Sequence, residues 1–447
     1  MAGMEHSRTS LSLLFTFLLF GHGLAGAVPL TAADEAELRL ADDVAKTVET
    51  LHGWKFKQPV KKGMYSEAEL RGFIEKRLAE EYPEAELQAN EAFLRTIGAL
   101  PESTSLRQTL IDVLMSQIGG FYDPPSKTFY MVKREGTDYG QLVDRILIAH
   151  ELTHALDDQR VSLDSLMSVR DRSQDGEFVA GALVEGSATE VMTRYVTQAQ
   201  FAGDMKADDL QKLMKSEEER SKVFFQAPRY FQSLLANYTC GMFFLLQGQL
   251  GALMGGTTTI NAGQNFLKAV HDPPRSSEQI LHPDKYWDTA KRDEPVMVDD
   301  ASLRGILTGA GYKITHENTA GELLAAILTM PADQKLDPMA AGLPTYWTNA
   351  AAEGWGGDRF YLLDSGKGPS RALWLTLWDT GDDREEFENT YKEGLGKPVA
   401  TVTLGSRGVA FLYGFSKDEV NAMSQKLSAA GLHFSRAGKP WDPKASS

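Results

Sequence analysis

Cysteine is almost absent from this chain: Cys240 is the only one among 447 residues. One thiol cannot form an intramolecular disulfide, so the folded protein must depend on its hydrophobic core for stability. Cys240 begins an apolar run that ends at Leu246, which predicts a buried and unreactive thiol. The sequence therefore excludes a fold held together by disulfide bonds.

An excess of positive charge is also missing, and so is any long apolar run beyond the N-terminus. The formal net charge is −15, which argues against nucleic acid or an anionic membrane surface as the main partner. No later stretch reaches the length of a transmembrane helix. We therefore predict no integral membrane segment once an N-terminal signal has been removed.

The first 27 residues fit a secretory signal peptide. Arg8 precedes the apolar run Leu11 to Phe20, and Ala25-Gly26-Ala27 fits a cleavage site with small residues at its first and third positions. We predict export, to a periplasm or to the outside, with cleavage after Ala27. The alternative is an uncleaved N-terminal anchor.

Histidine is scarce, with nine residues in the chain, yet two of them stand four residues apart in His150-Glu151-Leu152-Thr153-His154. No Pro or Gly interrupts the stretch from Gln141 to Gln159, so a helix is predicted there. In a helix both imidazoles lie on one face, one turn apart, where they can bind one zinc ion. Glu151 can reach a water molecule on that metal. The alternative is a pair of core histidines that are satisfied by hydrogen bonds.

A catalytic zinc usually has three protein ligands. The candidates for the third, all downstream, are Asp157, Asp158, Glu185 and Glu190. Asp158 lies four residues beyond His154, so its carboxylate could hydrogen-bond that ring instead of binding the metal.

We choose Glu185 as the third ligand. It is followed by Gly186 and Ala188, whose small size would let its helix approach the metal helix closely. Glu190 lies five residues further along and faces another way. The sequence thus predicts His150, His154 and Glu185 as metal ligands, with Glu190 a solvated or outer carboxylate.

The combination of His150-Glu151-x-x-His154 with Glu185-Gly186-x-Ala188 resembles the gluzincin metallopeptidases, which include thermolysin and the zinc aminopeptidases. A narrower similarity is to uncharacterised exported bacterial proteins thought to be zinc metallopeptidases. That similarity also involves Gly120-Phe121-Tyr122-Asp123-Pro124, Ser277-Glu278-Gln279-Ile280-Leu281-His282-Pro283 and Ala351-Ala352-Glu353-Gly354-Trp355-Gly356-Gly357-Asp358-Arg359.

The resemblance implies a Zn²⁺ cofactor, a peptide or protein substrate, and hydrolysis by a zinc-activated water with Glu151 as general base. Gluzincins use a Tyr or a His to stabilise the oxyanion of the intermediate. Tyr238 and His282 are the candidates here, and no motif decides between them. Tyr122 and Asp123 could contact a substrate strand, although a role in a hairpin is the simpler interpretation.

The wider pattern predicts an α+β protein with a mainly helical, zincin-like core, a short β-hairpin with an edge strand, and a small C-terminal α+β domain. The predicted units are an N-terminal helical region (28–104), a catalytic domain (105–290) and a C-terminal domain (291–447). The predicted details are helices from Ala32, at 66–78, 83–97 and 105–118; a hairpin at 119–132; a loop at 160–175; a helix at 176–200 capped by Asp175; an apolar helical region at 230–254; a helix at 320–328; strands at 358–363, 372–378, 399–404 and 408–413; and helices at 382–395 and 417–430. Trp355, Trp374 and Trp378 are predicted core residues of the last domain.

Two other functions remain open at this point. One is a non-catalytic, zinc-containing protein that binds a partner through its C-terminal domain. The other is a zinc hydrolase that acts on an amide other than a peptide. A purely structural zinc would need no general base, so Glu151 favours an enzyme.

Overall fold

The computed structural model describes residues 32–134, 141–168, 173–203, 211, 222–249, 251, 261–366, 369–430 and 432–443. The predicted signal peptide and its cleavage site lie outside these residues. The protein is α+β, as predicted. In the part of the chain that is described, no helix has the length and apolar character needed to cross a membrane.

The helices, in chain order, are α1 (Ala32–His52), α2 (Glu67–Glu81), α3 (Glu84–Ile97), α4 (Leu106–Gln117), α5 (Gln141–Asp158), α6 (Leu163–Ser168), α7 (Gln174–Ala202), α8 (Arg229–Gln232), α9 (Leu235–Leu245), α10 (Ala262–His271), α11 (Ser277–Leu281), α12 (Asp284–Trp287), α13 (Asp300–Gly309), α14 (Gly321–Thr329), α15 (Pro338–Ala341), α16 (Gly381–Leu395) and α17 (Lys417–Ala429), with a 3-10 turn at Pro344–Tyr346. The strands are β1 (Lys61–Ser66), β2 (Gly120–Asp123), β3 (Thr128–Lys133), β4 (Val296–Val298), β5 (Lys313–Asn318), β6 (Trp355–Asp364), β7 (Arg371–Trp378), β8 (Ala400–Leu404), β9 (Gly408–Tyr413), β10 (Phe434–Arg436) and β11 (Lys439–Trp441).

The predicted hairpin is present as β2 and β3, joined by a turn at residues 124–127. The N-terminal region contains the predicted helices, but strand β1 between α1 and α2 was not predicted, and it pairs in parallel with β3. The sheet order β1-β3-β2 leaves β2 at one edge. A pairing partner 67 residues away in sequence (Lys61 with Thr128) cannot be read from the local pattern of β1.

The segment predicted as a loop at 160–175 contains a short helix, α6. The N-cap of α7 was also assigned to the wrong residue. Ser173, and not Asp175, caps this helix by accepting a hydrogen bond from Gly176 N at 3.1 Å. Asp175 instead accepts from the backbone N–H of Ser277 at 2.7 Å, which ties the start of α7 to α11.

Five antiparallel strands in the order β5-β6-β7-β9-β8 form the sheet of the C-terminal region. Alternate residues of β7 point to opposite faces, and both faces are buried. Trp374 and Trp378 contact Phe387 of α16 on one face, whereas Leu373 and Leu375 join the core under α13 and α17 on the other. The prediction that Trp355, Trp374 and Trp378 are core residues is confirmed by their near-complete burial. Strand β5 and the small β4-β10-β11 sheet were not predicted.

The environment of His316 on β5 makes stability depend on pH. Burial, together with the charge of Arg359, lowers the pKa of His316 from 6.5 to about 4. Between these two pH values the unfolded chain binds a proton that the folded chain does not. The contribution of His316 to the free energy of unfolding is therefore fully present above pH 6.5 and is lost as the pH falls towards 4. This contribution amounts to about 3 kcal/mol.

We expect His316→Gln to flatten the curve of unfolding free energy against pH between 6.5 and 4 by that amount, as measured by urea denaturation. The exposed residue His271, at the end of α10, supplies the matched control, and His271→Gln is measured alongside. An unaltered pH dependence in His316→Gln would contradict the assignment.

Candidate metal centre

The motif histidines lie on α5, as the sequence predicts. His150 and His154 are buried, and their Nε2 atoms are 3.1 Å apart. The rings meet nearly at a right angle, at 88° between planes. Spacing by one helical turn brings both nitrogens to the same point beside the helix.

Glu185 reaches this point from α7. Its Oε2 atom lies 3.1 Å from Nε2 of His150 and 3.6 Å from Nε2 of His154. Zinc bound tetrahedrally at about 2.0–2.1 Å would separate its ligand atoms by roughly 3.3 Å. The three atoms are therefore spaced as a tetrahedral zinc ion requires, and these residues fit the metal.

Electrostatics at this cluster also suits a cation. Burial alone would raise the pKa of Glu185, but the charge of His154 and hydrogen bonds to both histidines lower it to about 2. Within the described residues, Oε1 of Glu185 and the Nδ1 atoms of His150 and His154 are buried without hydrogen-bond partners. An ion at the point where the Nε2 atoms meet could complete Oε1 of Glu185 but not the two Nδ1 atoms, which need partners on the other side of each ring.

Glu151 sits beside the cluster and faces the edge strand. Its Oε2 atom accepts a hydrogen bond from the backbone N–H of Tyr122 on β2 at 3.0 Å. Burial raises the pKa of Glu151 to about 8, with a further upward contribution from Glu185 and opposing contributions from His150 and from this hydrogen bond. The sequence did not indicate the contact, since it joins two segments through a main-chain atom that every non-proline residue possesses.

Helices α7 and α9 cross in direct backbone contact. A Cβ added to Gly186 would lie 2.3 Å from the carbonyl carbon of Gly241, and one added to Gly241 would lie 1.9 Å from the oxygen of Ala182. The prediction that Gly186 lets α7 approach the metal helix was therefore wrong, because its small size accommodates α9 instead. The close crossing brings Tyr238 of α9 to His150, with ring centroids 5.8 Å apart and ring planes inclined by 27°.

We expect Gly241→Ala to destabilise the protein by about 3 kcal/mol or more, because neither backbone can move without separating the helices. Gly305 on α13 is the matched control. A Cβ there would meet nothing within 4 Å, so Gly305→Ala should be neutral or slightly stabilising. Chemical denaturation of both variants measures the difference, and equal stability for the two would refute the close contact.

The other predicted acidic candidates do not join the three ligand atoms. The sequence suggested a hydrogen bond between Asp158 and His154, but the structure gives Asp158 other partners. Its Oδ2 atom accepts from the hydroxyl of Tyr122 at 2.7 Å and from Lys127 at 2.6 Å, and its Oδ1 accepts from Leu163 N. The side chain thus points towards the hairpin and α6. The spacing of residues along α5 alone could not predict these contacts.

Asp157 and Glu190 belong to a second buried polar group. Asp157 Oδ1 lies 2.9 Å from Nε2 of His52, the last residue of α1. Glu190 is 3% exposed and pairs with Arg194 at 3.2 Å, so it is an internal and not a solvated carboxylate. This group fastens the N-terminal helix to the two helices that carry the metal-binding residues.

The second candidate for the oxyanion donor, His282, has a different partner. Its Nε2 atom lies 2.8 Å from Oε1 of the buried Glu322 on α14. Asp358 of β6 holds the start of α14 by accepting from the backbone N–H groups of Ala320 and Gly321 at 2.8 and 2.9 Å. Of the two candidates, Tyr238 is the one that the structure brings to the histidine pair.

A further group of three carboxylates, Glu278, Asp293 and Asp379, is close enough to hold an ion. Lys285 lies 2.5 Å from Glu278, and Arg436 lies 2.9 and 2.6 Å from Asp293 and Asp379. Each of the three acids thus has a cationic partner, although two cations balance only two of the three negative charges, and the group is an ion-pair network that joins α11 and α12 to β10.

Comparison with known proteins adds one match. Residues 312–421, which include the five-stranded sheet, match a family described as a domain of unknown function (DUF8575). Comparisons with curated proteins and with solved structures found no match.

Proposed function

We propose that this chain is an exported, zinc-dependent peptidase. The observation that carries the proposal is the convergence of His150, His154 and Glu185 at the spacing of tetrahedral zinc ligands, next to a carboxylate that is not one of the three. A structural zinc site is closed by four protein ligands, whereas a catalytic site has three and leaves one position open. Zinc bound here would polarise the scissile carbonyl and activate a water molecule.

The chain's own groups would perform the proton transfers. Glu151 takes a proton from the attacking water and returns it to the leaving amine. Its hydrogen bond from Tyr122 N fixes one carboxylate oxygen, so the other oxygen is available for this transfer. Tyr238 stands beside His150 and supplies a phenol that can donate to the developing oxyanion.

Strand β2 supports a peptide as the substrate. Val132 N donates to Gly119 O, and hydrogen-bonded pairs alternate along an antiparallel ladder. The backbone groups of Gly120 and Tyr122 therefore point away from β3, towards the edge that also carries the contact with Glu151. The N–H of Tyr122 is already engaged by Glu151, so an extended peptide that pairs with this edge would use the backbone groups of Gly120 and the C=O of Tyr122, beside the proposed general base.

The test is cleavage of an unfolded protein by the purified mature chain, with zinc content measured in parallel. We expect about one zinc per chain, loss of cleavage on chelation, and recovery with Zn²⁺ but not Mg²⁺. Cleavage that survives complete removal of zinc would refute the proposal. Zinc without cleavage would favour the non-catalytic alternative, and a kcat in Tyr238→Phe equal to that of the wild type would remove Tyr238 from the mechanism.

A further inference from the structure

A cleft of about 350 Å³ lies between α3 and the C-terminal sheet, apart from the metal-binding residues. Its charged lining consists of Arg95, Arg371, Lys397 and Glu102. The three basic residues come from the end of α3, the start of β7 and the segment after α16. Three basic residues around one cleft are a local concentration of positive charge in a chain whose net charge is −15.

We propose that this cleft binds a small anionic ligand that carries a carboxylate or phosphate group. The proposal is independent of the peptidase function. Arg371 and Lys397 both belong to segment 312–421, so the cleft would give the domain of unknown function a binding role.

The basic side chains are held in place but not saturated. Arg95 pairs with Glu91 at 2.8 Å, and Arg371 lies 3.4 Å from Glu419. Neither of these acids lines the cleft. Arg95 also donates to Thr104 O at 2.9 Å and Arg371 to Pro369 O. Within the described residues, each guanidinium thus uses two of its five N–H donors on the terminal nitrogens, and others remain for a ligand.

Lys397 contributes the charge that is compensated least. Its Nζ atom donates to the main-chain oxygen of Arg95 at 3.0 Å, which is a neutral group. An ammonium has three donors, so two remain for a ligand. Guanidinium and ammonium groups together form short, charge-assisted hydrogen bonds to carboxylate or phosphate oxygens.

The walls between these charges are suited to a compact ligand. Ala92, Leu362 and Pro398 contribute carbon surface, and Tyr413 contributes a buried ring whose hydroxyl lies 2.7 Å from that of Tyr391. Ionic hydrogen bonds are stronger beside such apolar surface than in open water, because the local dielectric constant is lower.

Isothermal titration of the full mature chain with inorganic phosphate and with succinate tests the proposal, against sodium chloride at the same ionic strength. We expect saturable binding of at least one of the two anions. Binding of phosphate alone would assign a phosphate ligand, of succinate alone a carboxylate ligand, and of both a site for the oxyanion that they share. Absence of heat above the chloride blank for both anions would overturn the proposal.

Lys397→Gln is the decisive variant, because Lys397 is exposed and its loss should not prevent folding. We expect its Kd to rise roughly tenfold, as for loss of one charge-assisted hydrogen bond. Lys392→Gln is the matched control on α16: Lys392 is also exposed and pairs with Glu388. Equal weakening in both variants, or none in Lys397→Gln, would overturn the proposal.

A second control separates the cleft from the metal centre, since anions can also bind zinc. Glu185→Ala should bind phosphate and succinate as the wild type does. Loss of binding in Glu185→Ala would place the anions on the metal and overturn the assignment to the cleft.

Discussion

Replacement of Glu151 by Gln is expected to reduce peptide hydrolysis by about 10²–10⁴-fold, the range typical of a lost general base. The amide of Gln keeps the size of the side chain and can still accept the hydrogen bond from Tyr122 N, which is 3.0 Å from Glu151 Oε2 in the native protein. It cannot accept and return a proton. The loss should therefore appear in kcat, measured with an unfolded protein or a peptide library.

Zinc content and folding decide how that result is interpreted. Glu151 is not one of the three clustered ligand residues, so Glu151→Gln should retain zinc at the wild-type level and show an unchanged far-UV circular dichroism spectrum. Hydrolysis at the wild-type rate in a variant that is loaded with zinc would exclude Glu151 as the base.

The second large effect is expected for Glu185→Ala. Glu185 supplies a carboxylate oxygen that lies 3.1 and 3.6 Å from the two Nε2 atoms. Its removal should weaken zinc binding by more than about 100-fold, because outer partners of ligands alone account for 10–100-fold. Zinc content after dialysis and competition with a chromogenic chelator measure the change.

Glu190→Gln is the matched control for this variant. Glu190 lies on the same helix and is also buried, but it pairs with Arg194. It should bind zinc as tightly as the wild type, even if it is less stable. Retention of zinc in Glu185→Ala would refute the assignment of Glu185 as the third ligand, and with it the metal centre as proposed.

Much of the candidate site follows from local sequence. A helix free of Pro and Gly places His150 and His154 on one face, and an apolar surround buries them. Glu185 was chosen because the small Gly186 was expected to let α7 approach the metal helix α5. In the structure Gly186 faces α9 instead, and α7 meets α5 through a different face. A residue's neighbours on a helix indicate which faces are small, but they do not indicate which partner each face meets.

The errors share a physical origin. β1 was missed because its stability comes from parallel pairing with β3, and strand propensity depends on such distant neighbours. Asp158 was assigned to His154 because both lie on α5, whereas its partners Tyr122 and Lys127 come from the hairpin. Contacts between distant segments are decided by packing of the whole core, which a local pattern cannot represent.

By itself, the amino-acid sequence determined the α+β class, the helix of the motif, the hairpin before it and the buried tryptophans of the last sheet. These follow from periodicity and turn chemistry, which act over a few residues. Only the tertiary structure decided which carboxylate meets the two histidines, that Tyr238 approaches His150 and that His282 pairs with Glu322. Those outcomes depend on the crossing of α7 and α9 and on the docking of α14, where close packing selects one arrangement among many.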